Sequence, residues 1–183
     1  MRRPLVLIAT AVILVFGASS GAAWAYEPGG FFLDPRVAVG FNTSQGTHFI
    51  AGLDVGLGLS ETLAAGVGGY YSAGERPQHD REYGVGPFLS YVQPLTSFLL
   101  AAVRQELNHV NLRDPVKVTE ADGSTSYTHN EEDGLASVTT VGLHLFFTPN
   151  MGLSAGYRFV LGLSNPDLDD GRSGTFIGLS IGI

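Results

Sequence analysis

The chain has 183 residues, a net charge of −7 at neutral pH and no cysteine, which excludes disulfide bonds and thiol chemistry. The length suits a single domain, and an acidic chain without a basic patch is poorly suited to binding nucleic acid. No stretch beyond residue 25 has the roughly 20 apolar residues that a membrane-spanning helix needs. A mature chain in a membrane would therefore cross it as a closed sheet, since only helices and closed barrels satisfy every backbone polar group in lipid.

Residues 1–25 have the three parts of a secretory signal peptide. Two arginines follow the first Met, an apolar run extends from Leu5 to Phe16, and Ala23-Trp24-Ala25 is a small-x-small cleavage site. The uninterrupted apolar run is about a dozen residues, which is too short to span a bilayer. We therefore expect export and cleavage after Ala25, which leaves residues 26–183 as the folded domain.

The rest of the chain alternates with a period of two, which predicts strands with two different faces. Between Phe49 and Leu59 the odd positions are apolar, and the even positions are mostly glycine or Asp54. The same alternation recurs along the chain and predicts an all-β fold, an eight-stranded antiparallel up-and-down transmembrane β-barrel. The predicted strands are Pro35–Asn42, Thr47–Leu59, Leu63–Ser72, Arg81–Gln93, Ser97–Asn108, Leu135–Phe147, Met151–Leu163 and Gly174–Ile183.

The connections between these strands alternate in length. Three are tight turns, as at Ser60–Thr62, and most of the others are long and polar, as at 111–134 and 164–173. Short turns at one end and long loops at the other are typical of bacterial membrane barrels, in which the short turns are periplasmic. We expect the two long links to be solvated, acidic outer loops.

The two faces of the strands can be assigned from side-chain size and charge. Small residues suit the narrow interior of an eight-stranded barrel, and the face that carries the glycines also carries the charges. A basic residue facing lipid at mid-depth costs about 2–4 kcal/mol. The sequence therefore predicts aliphatic residues outside, against lipid, and glycine and charge inside.

The last strand carries a specific resemblance. Gly178, Ile181 and Ile183 match the glycine and alternating hydrophobic positions of the insertion signal in small outer-membrane barrels, although Ile183 replaces the usual terminal aromatic residue. The chain resembles barrels of the OmpA/OmpX type and, more loosely, of the OmpW type. The resemblance implies the outer membrane of a Gram-negative bacterium, insertion by the barrel-assembly machinery, and contact with outer-membrane lipid and lipopolysaccharide.

The inward charges are the first candidate site. Asp54, Arg104 and Arg158 lie at similar distances from their short turns, so we expect them to share a level and to pair, because a buried unpaired charge is costly. Paired charges would plug the lumen and stabilise the barrel. In the alternative, exchangeable pairs would gate a small channel or bind a small ligand. The predicted lumen network is Asp54, Arg104, Glu106, Arg158, Glu82 and Arg36.

The acidic loops are the second candidate. Asp167, Asp169 and Asp170 partly match a calcium loop, but the glycine falls one place late and no glutamate closes the site. We predict a solvated loop, with divalent cations as candidate partners at its carboxylates. The histidines show no metal-ligand spacing, and the sequence predicts no metal and no cofactor.

The third candidate is a serine. Arg158-Phe159 followed by Ser164-Asn165 resembles the lipid A deacylase barrels, which carry a histidine two residues before the serine. Gly162 occupies that position here, and a hydroxyl without a base is a weak nucleophile. A base would have to come from elsewhere, such as His144 or His109. The sequence therefore favours a non-enzymatic envelope protein that interacts at the surface, with a lipid A-modifying hydrolase using Ser164 as the alternative.

Overall fold

The computed structural model describes most of the predicted domain. The predicted signal peptide lies outside the described residues, as do Asp167, Asp169 and Asp170. The described residues are 26–42, 46–74, 81–119, 124–148, 151–165, 168 and 172–181. No helix among them is long and apolar enough to cross a membrane.

Eight strands close into a ring in which each strand pairs antiparallel with its sequence neighbours, and the last pairs with the first. The predicted fold class is confirmed. The strands are β1 (Phe31–Asn42), β2 (Gly46–Gly58), β3 (Leu63–Gly74), β4 (Arg81–Pro94), β5 (Leu99–Thr119), β6 (Thr125–Thr148), β7 (Met151–Gly162) and β8 (Gly174–Ile181).

The expectation of a loop at 111–134 is wrong. The β5–β6 ladder continues from the barrel wall to the pair Thr119↔Thr125. Among the described residues, β5 pairs with β4 as far as Arg113 and β6 pairs with β7 from Ala136, so the described part of β5 and β6 beyond these points forms a two-stranded hairpin. The charges in this segment suggested a loop, but β-branched residues such as Val118, Thr119 and Thr125 favour extended strands.

The distribution of side chains is the reverse of that in a water-soluble barrel. Leu53 is 47% exposed on the outer wall, whereas its neighbour Asp54 is 0% exposed inside. Outward aliphatic residues recur on every wall, including Leu89, Val141 and Ile177. The predicted arrangement of aliphatic residues outside, with glycine and charge inside, is confirmed.

The predicted solvated link at 164–173 is also partly wrong. Leu168 is fully buried and packs in an apolar cluster at the outer end of the lumen, and Arg172 is buried as well. The other members of the cluster are Val110, Leu112, Ala136, Val138 and Val160. These even-numbered inward positions become apolar near the rim, so described parts of the link fold into the outer mouth.

Candidate functional site: a closed and charged lumen

Glycines on the inner wall make room for large lumen side chains. A Cβ at Gly68 would lie 2.3 Å from Asp54 Oδ1 and 2.6 Å from Arg104 Nη2. A Cβ at Gly84 would lie 2.2 Å from the ring of Tyr70. The glycines that the sequence places inward therefore leave the space that these polar and aromatic side chains occupy.

Arg104 is the centre of a mid-lumen cluster formed by Arg36, Asp54, Arg104, Glu106 and Asn108. Its Nη1 and Nη2 donate to the two oxygens of Asp54 at 2.5 and 2.9 Å, and its Nε donates to Glu106 Oε1 at 2.6 Å. Arg36 Nη2 donates to Asp54 Oδ1 at 2.8 Å and its Nη1 lies 3.5 Å from Glu106 Oε1. Bidentate arginine–carboxylate bonds are among the strongest hydrogen bonds in proteins.

Most polar atoms of the mid-lumen cluster have partners, although Arg36 Nε and Asn108 Oδ1 are buried without a hydrogen bond among the described residues. Asn108 Nδ2 donates to Glu106 Oε2 at 2.8 Å, and the Arg104 guanidinium lies 3.7 Å from the centroid of the Phe88 ring, a distance suited to a cation–π contact. Two arginines face two carboxylates within this cluster. Such a cluster can hold strands together across the lumen.

Asp34, a further carboxylate that was not predicted from the sequence, lies beside this cluster. Asp34 is the direct cross-strand partner of Asp54 in the β1–β2 ladder, which puts both side chains on the inner face. β1 begins at Phe31, whereas the predicted strand began at Pro35. Asp34 precedes Arg36 by two residues, so an earlier strand start would have identified it.

Glu82 is the centre of a second group, the outer cluster, formed by Tyr70, Glu82, Arg158 and Arg172. Arg158 Nη2 lies 3.2 Å from Glu82 Oε1, Arg172 Nη1 lies 3.4 Å from Oε2, and the Tyr70 hydroxyl donates to Oε1. Glu82 is 1% exposed, and the Arg158 guanidinium lies 4.3 Å from the Tyr70 ring centroid. Glu82 therefore has three polar partners from three other parts of the chain.

Arg158 was predicted to share a level with Asp54 and Arg104, but its ion pair is with Glu82. Strands in a barrel tilt and stagger, so counting residues from the turns does not give height along the axis. Tyr70 has an inward, even position that could have identified it. Arg172 lies in a link between strands, where no periodicity could have indicated its partner.

An aromatic cluster formed by Tyr26, Phe32 and Phe88, with tilted rings, lies at the short-turn end of the lumen. Their ring centroids are 5.1 Å apart between Tyr26 and Phe32 and 6.2 Å apart between Phe32 and Phe88. The Tyr26 hydroxyl donates to Ser90 Oγ at 3.0 Å, and its backbone N–H donates to Glu61 O at 3.1 Å. The segment before β1 therefore folds back against the barrel.

Little space remains between the inner side chains near the outer cluster. The pocket among His48, Arg158, Arg172 and Phe176 holds about 10 Å³, which is about enough for one water molecule. A solute would have to displace these side chains to pass. A much larger groove, of about 430 Å³, is lined mainly by residues of the outer wall.

Ser164 has a structural hydrogen bond. Its Oγ accepts from the backbone N–H of Leu135 at 2.8 Å, at the edge where β6 leaves β7. His109 Nδ1 lies 3.2 Å from the carbonyl oxygen of Gly134. Within the described residues no hydrogen bond joins Ser164 to a histidine, and no group of three or more His, Asp or Glu side chains is arranged to hold a metal ion.

No protein-family model and no curated protein matches the chain, but solved structures do. It is similar to Neisserial surface protein A (TM-score 0.58, 18% identity), with 84% of this chain and 97% of that chain covered. It is similar to the N-terminal β-barrel domain of Pseudomonas aeruginosa OprF (TM-score 0.56, 14% identity, 83% and 97% covered). A designed transmembrane β-barrel also matches (TM-score 0.50, 16% identity, 87% and 99% covered). The chain therefore has the fold of the small eight-stranded outer-membrane β-barrels.

Proposed function

We propose that the chain is a non-enzymatic outer-membrane protein of a Gram-negative envelope, exported by residues 1–25, with a lumen closed by its own side chains. The inside-out distribution of side chains is the observation that carries the proposal. Leu57 is 50% exposed on the outer wall while Asp54 is completely buried inside. A monomer in water rarely exposes more than a few hundred Å² of continuous apolar surface, and the apolar outer wall surrounds this barrel.

The closed lumen supports a structural role over a transport role. From the short-turn end outwards, the lumen holds the aromatic cluster, the mid-lumen cluster and the outer cluster. For the lumen to act as a gate, Arg104 would have to give up three charged hydrogen bonds while it remains buried, and breaking such a pair costs about 3–5 kcal/mol. Because opening carries this cost, the gated channel is the less favoured alternative.

The β5–β6 hairpin supports a surface role. It carries the exposed carboxylates Glu131 and Asp133, and Arg113 pairs with Glu131 at 2.7 Å in an exposed ion pair. Exposed carboxylates can attract divalent cations, which also bridge the phosphates of lipopolysaccharide. We therefore propose lipopolysaccharide and divalent cations as the surface partners, with the barrel-assembly machinery acting during insertion.

The enzyme alternative has little support. The Ser164 hydroxyl accepts a backbone hydrogen bond from Leu135, which satisfies the edge of a strand and does not activate a nucleophile. A comparison of lipid A masses from cells that express the wild type and Ser164→Ala tests this alternative directly. A mass change that disappears in the variant would establish the enzyme.

The proposal is tested by expressing the full chain in a Gram-negative host and separating inner membrane, outer membrane and soluble fractions. We expect the protein in the outer-membrane fraction, and the purified barrel should give no steady conductance in planar bilayers. Recovery as a soluble periplasmic protein would overturn the membrane assignment. Steady conductance that changes in Arg104→Ala would establish the channel instead.

A further inference from the structure

The outer wall carries an open groove of about 430 Å³ that crosses four neighbouring strands, from β4 to β7. Its apolar lining includes leucines that are each about half exposed. The residues that shape it are Pro87, Leu89, Leu107, Ser137, Leu161 and Leu163.

The groove coincides with an interruption of the β4–β5 ladder. Pairing proceeds to Val85↔His109 and resumes at Phe88↔Glu106, and Pro87 lies between these pairs without an N–H to donate. The side-chain amide of Gln105 donates to the carbonyl oxygen of Glu106 at 3.3 Å. This side-chain hydrogen bond, on the lipid-facing side of the wall, partly compensates for the missing backbone bonds of the ladder.

Gln105 also belongs to a polar trio with Ser137 and Thr139 on the outer face. Its Nε2 donates to Ser137 Oγ at 2.8 Å, and its Oε1 accepts from Thr139 Oγ1 at 2.6 Å. Because these groups satisfy one another, they can face hydrocarbon without water. The short Ser137 side chain also leaves the space between the surrounding leucines open.

The position and size of the groove indicate its occupant. Pro87 lies six residues from the outer end of β4, and Leu163 lies just beyond the outer end of β7, so the groove spans the half of the wall next to the long links. An apolar cavity of about 150 Å³ holds one benzene molecule, and a volume nearly three times larger suits one fatty acyl chain. The groove is much smaller than a protein interface, which needs about 20–30 residues a side.

We propose that this groove binds one acyl chain of an outer-leaflet lipid, lipopolysaccharide. The inference rests on the proposed membrane location but is separable from it. The acyl chain would lie along the leucines, and the polar trio would lie at the end of the groove that is nearer the middle of the membrane. Leu53 of β2, on the opposite wall of the barrel, lies outside this groove and serves as the reference position.

The test uses the refolded protein in phosphatidylcholine vesicles that contain a phospholipid with a photoactivatable group in one acyl chain. After irradiation, peptide mapping should show several-fold more labelling at Leu89 and Leu161 than at Leu53 on the opposite wall. Unlabelled lipopolysaccharide should reduce labelling of the groove alone. Ser137→Leu should fill the groove and lower its labelling to that of Leu53.

Ser137→Ala is the matched control, because it removes the bond to Gln105 without adding bulk and should be labelled like the wild type. Circular dichroism verifies that both variants keep the β-sheet. Equal labelling of both walls would overturn the proposal that the groove binds an acyl chain, but not the membrane location. No labelling of either wall would overturn the membrane location as well. Groove labelling that lipopolysaccharide does not reduce would refute that lipid as the occupant. Protection of the groove in a crosslinked dimer would identify a second copy instead.

Discussion

Replacement of Arg104 by leucine tests the mid-lumen cluster most directly. Arg104→Leu removes three hydrogen bonds to two buried carboxylates and leaves Arg36 as the cation that both still contact. It also removes the guanidinium from the face of the Phe88 ring. The substitution therefore leaves excess negative charge inside the barrel.

The expected loss of stability depends on the contacts that the two carboxylates keep in the variant. Removing one partner of a buried ion pair costs about 3–5 kcal/mol, because the other charge stays buried without compensation. Arg36 keeps its bond to Asp54 at 2.8 Å, and its side chain is 30% exposed, so part of the loss is recovered. We therefore expect Arg104→Leu to lower the free energy of unfolding by about 3 kcal/mol, the lower end of that range.

Urea titration of the refolded barrel in detergent micelles measures this difference. The only tryptophan is Trp24, inside the predicted signal peptide, so far-UV circular dichroism is the better probe for the processed chain. Arg113→Leu is the matched control, because its exposed ion pair with Glu131 should contribute only about 0–1 kcal/mol. Adding Asp54→Asn to Arg104→Leu should cause less than the summed loss, with a coupling of about 0.5–3 kcal/mol. An Arg104→Leu variant as stable as the Arg113→Leu control would refute the argument.

Three further outcomes are expected. Arg158→Leu should lower the free energy of unfolding by less than Arg104→Leu does, by about 1.5 kcal/mol in a urea titration, because its partner Glu82 keeps Arg172 and Tyr70. A loss equal to or larger than that of Arg104→Leu would contradict this. The chain has no cysteine of its own, so a cysteine introduced at Ser90 can be probed alone; it should react slowly with a water-soluble thiol reagent and faster when Tyr26→Ala is added. Equal rates would refute the shielding of this position by the aromatic cluster. Trypsin added to intact cells should spare the bond after Arg113, because ladder pairing holds this part of the hairpin; rapid cleavage there would favour a loop.

The period of two in the sequence predicted the eight two-faced strands, and side-chain size and charge predicted which face points inwards. Leu53 and Asp54 are adjacent in sequence and point to opposite sides, and this is a local property of any strand. The length of the β5–β6 hairpin was not predictable in the same way. Charged residues between 111 and 134 are compatible with either a loop or a solvated ladder, and only pairing between the two segments distinguishes them.

For the candidate site, the inward direction of the charges was predictable from the sequence, but their partners were not. Inward charges such as Glu106 follow from strand parity, but their partners depend on tilt and stagger, which the sequence does not state. Arg172 and Tyr26 lie outside the strands, so parity says nothing about them. Their roles follow from the folding of a link and of the segment before β1 into the two ends of the lumen, which depends on tertiary packing.

Stability alone does not explain why the lumen is charged. Buried ion pairs are often no more stabilising than apolar residues of similar volume. However, a one-residue slip in register moves every side chain of a strand to the other face, and it would turn Arg104 and Glu106 towards lipid. A basic residue there costs about 2–4 kcal/mol at mid-depth, whereas aliphatic residues on both faces would let the strand slip at little cost. The charges on the glycine face therefore specify the register of the barrel as well as closing it, and unfolding measurements on single variants report only part of their contribution.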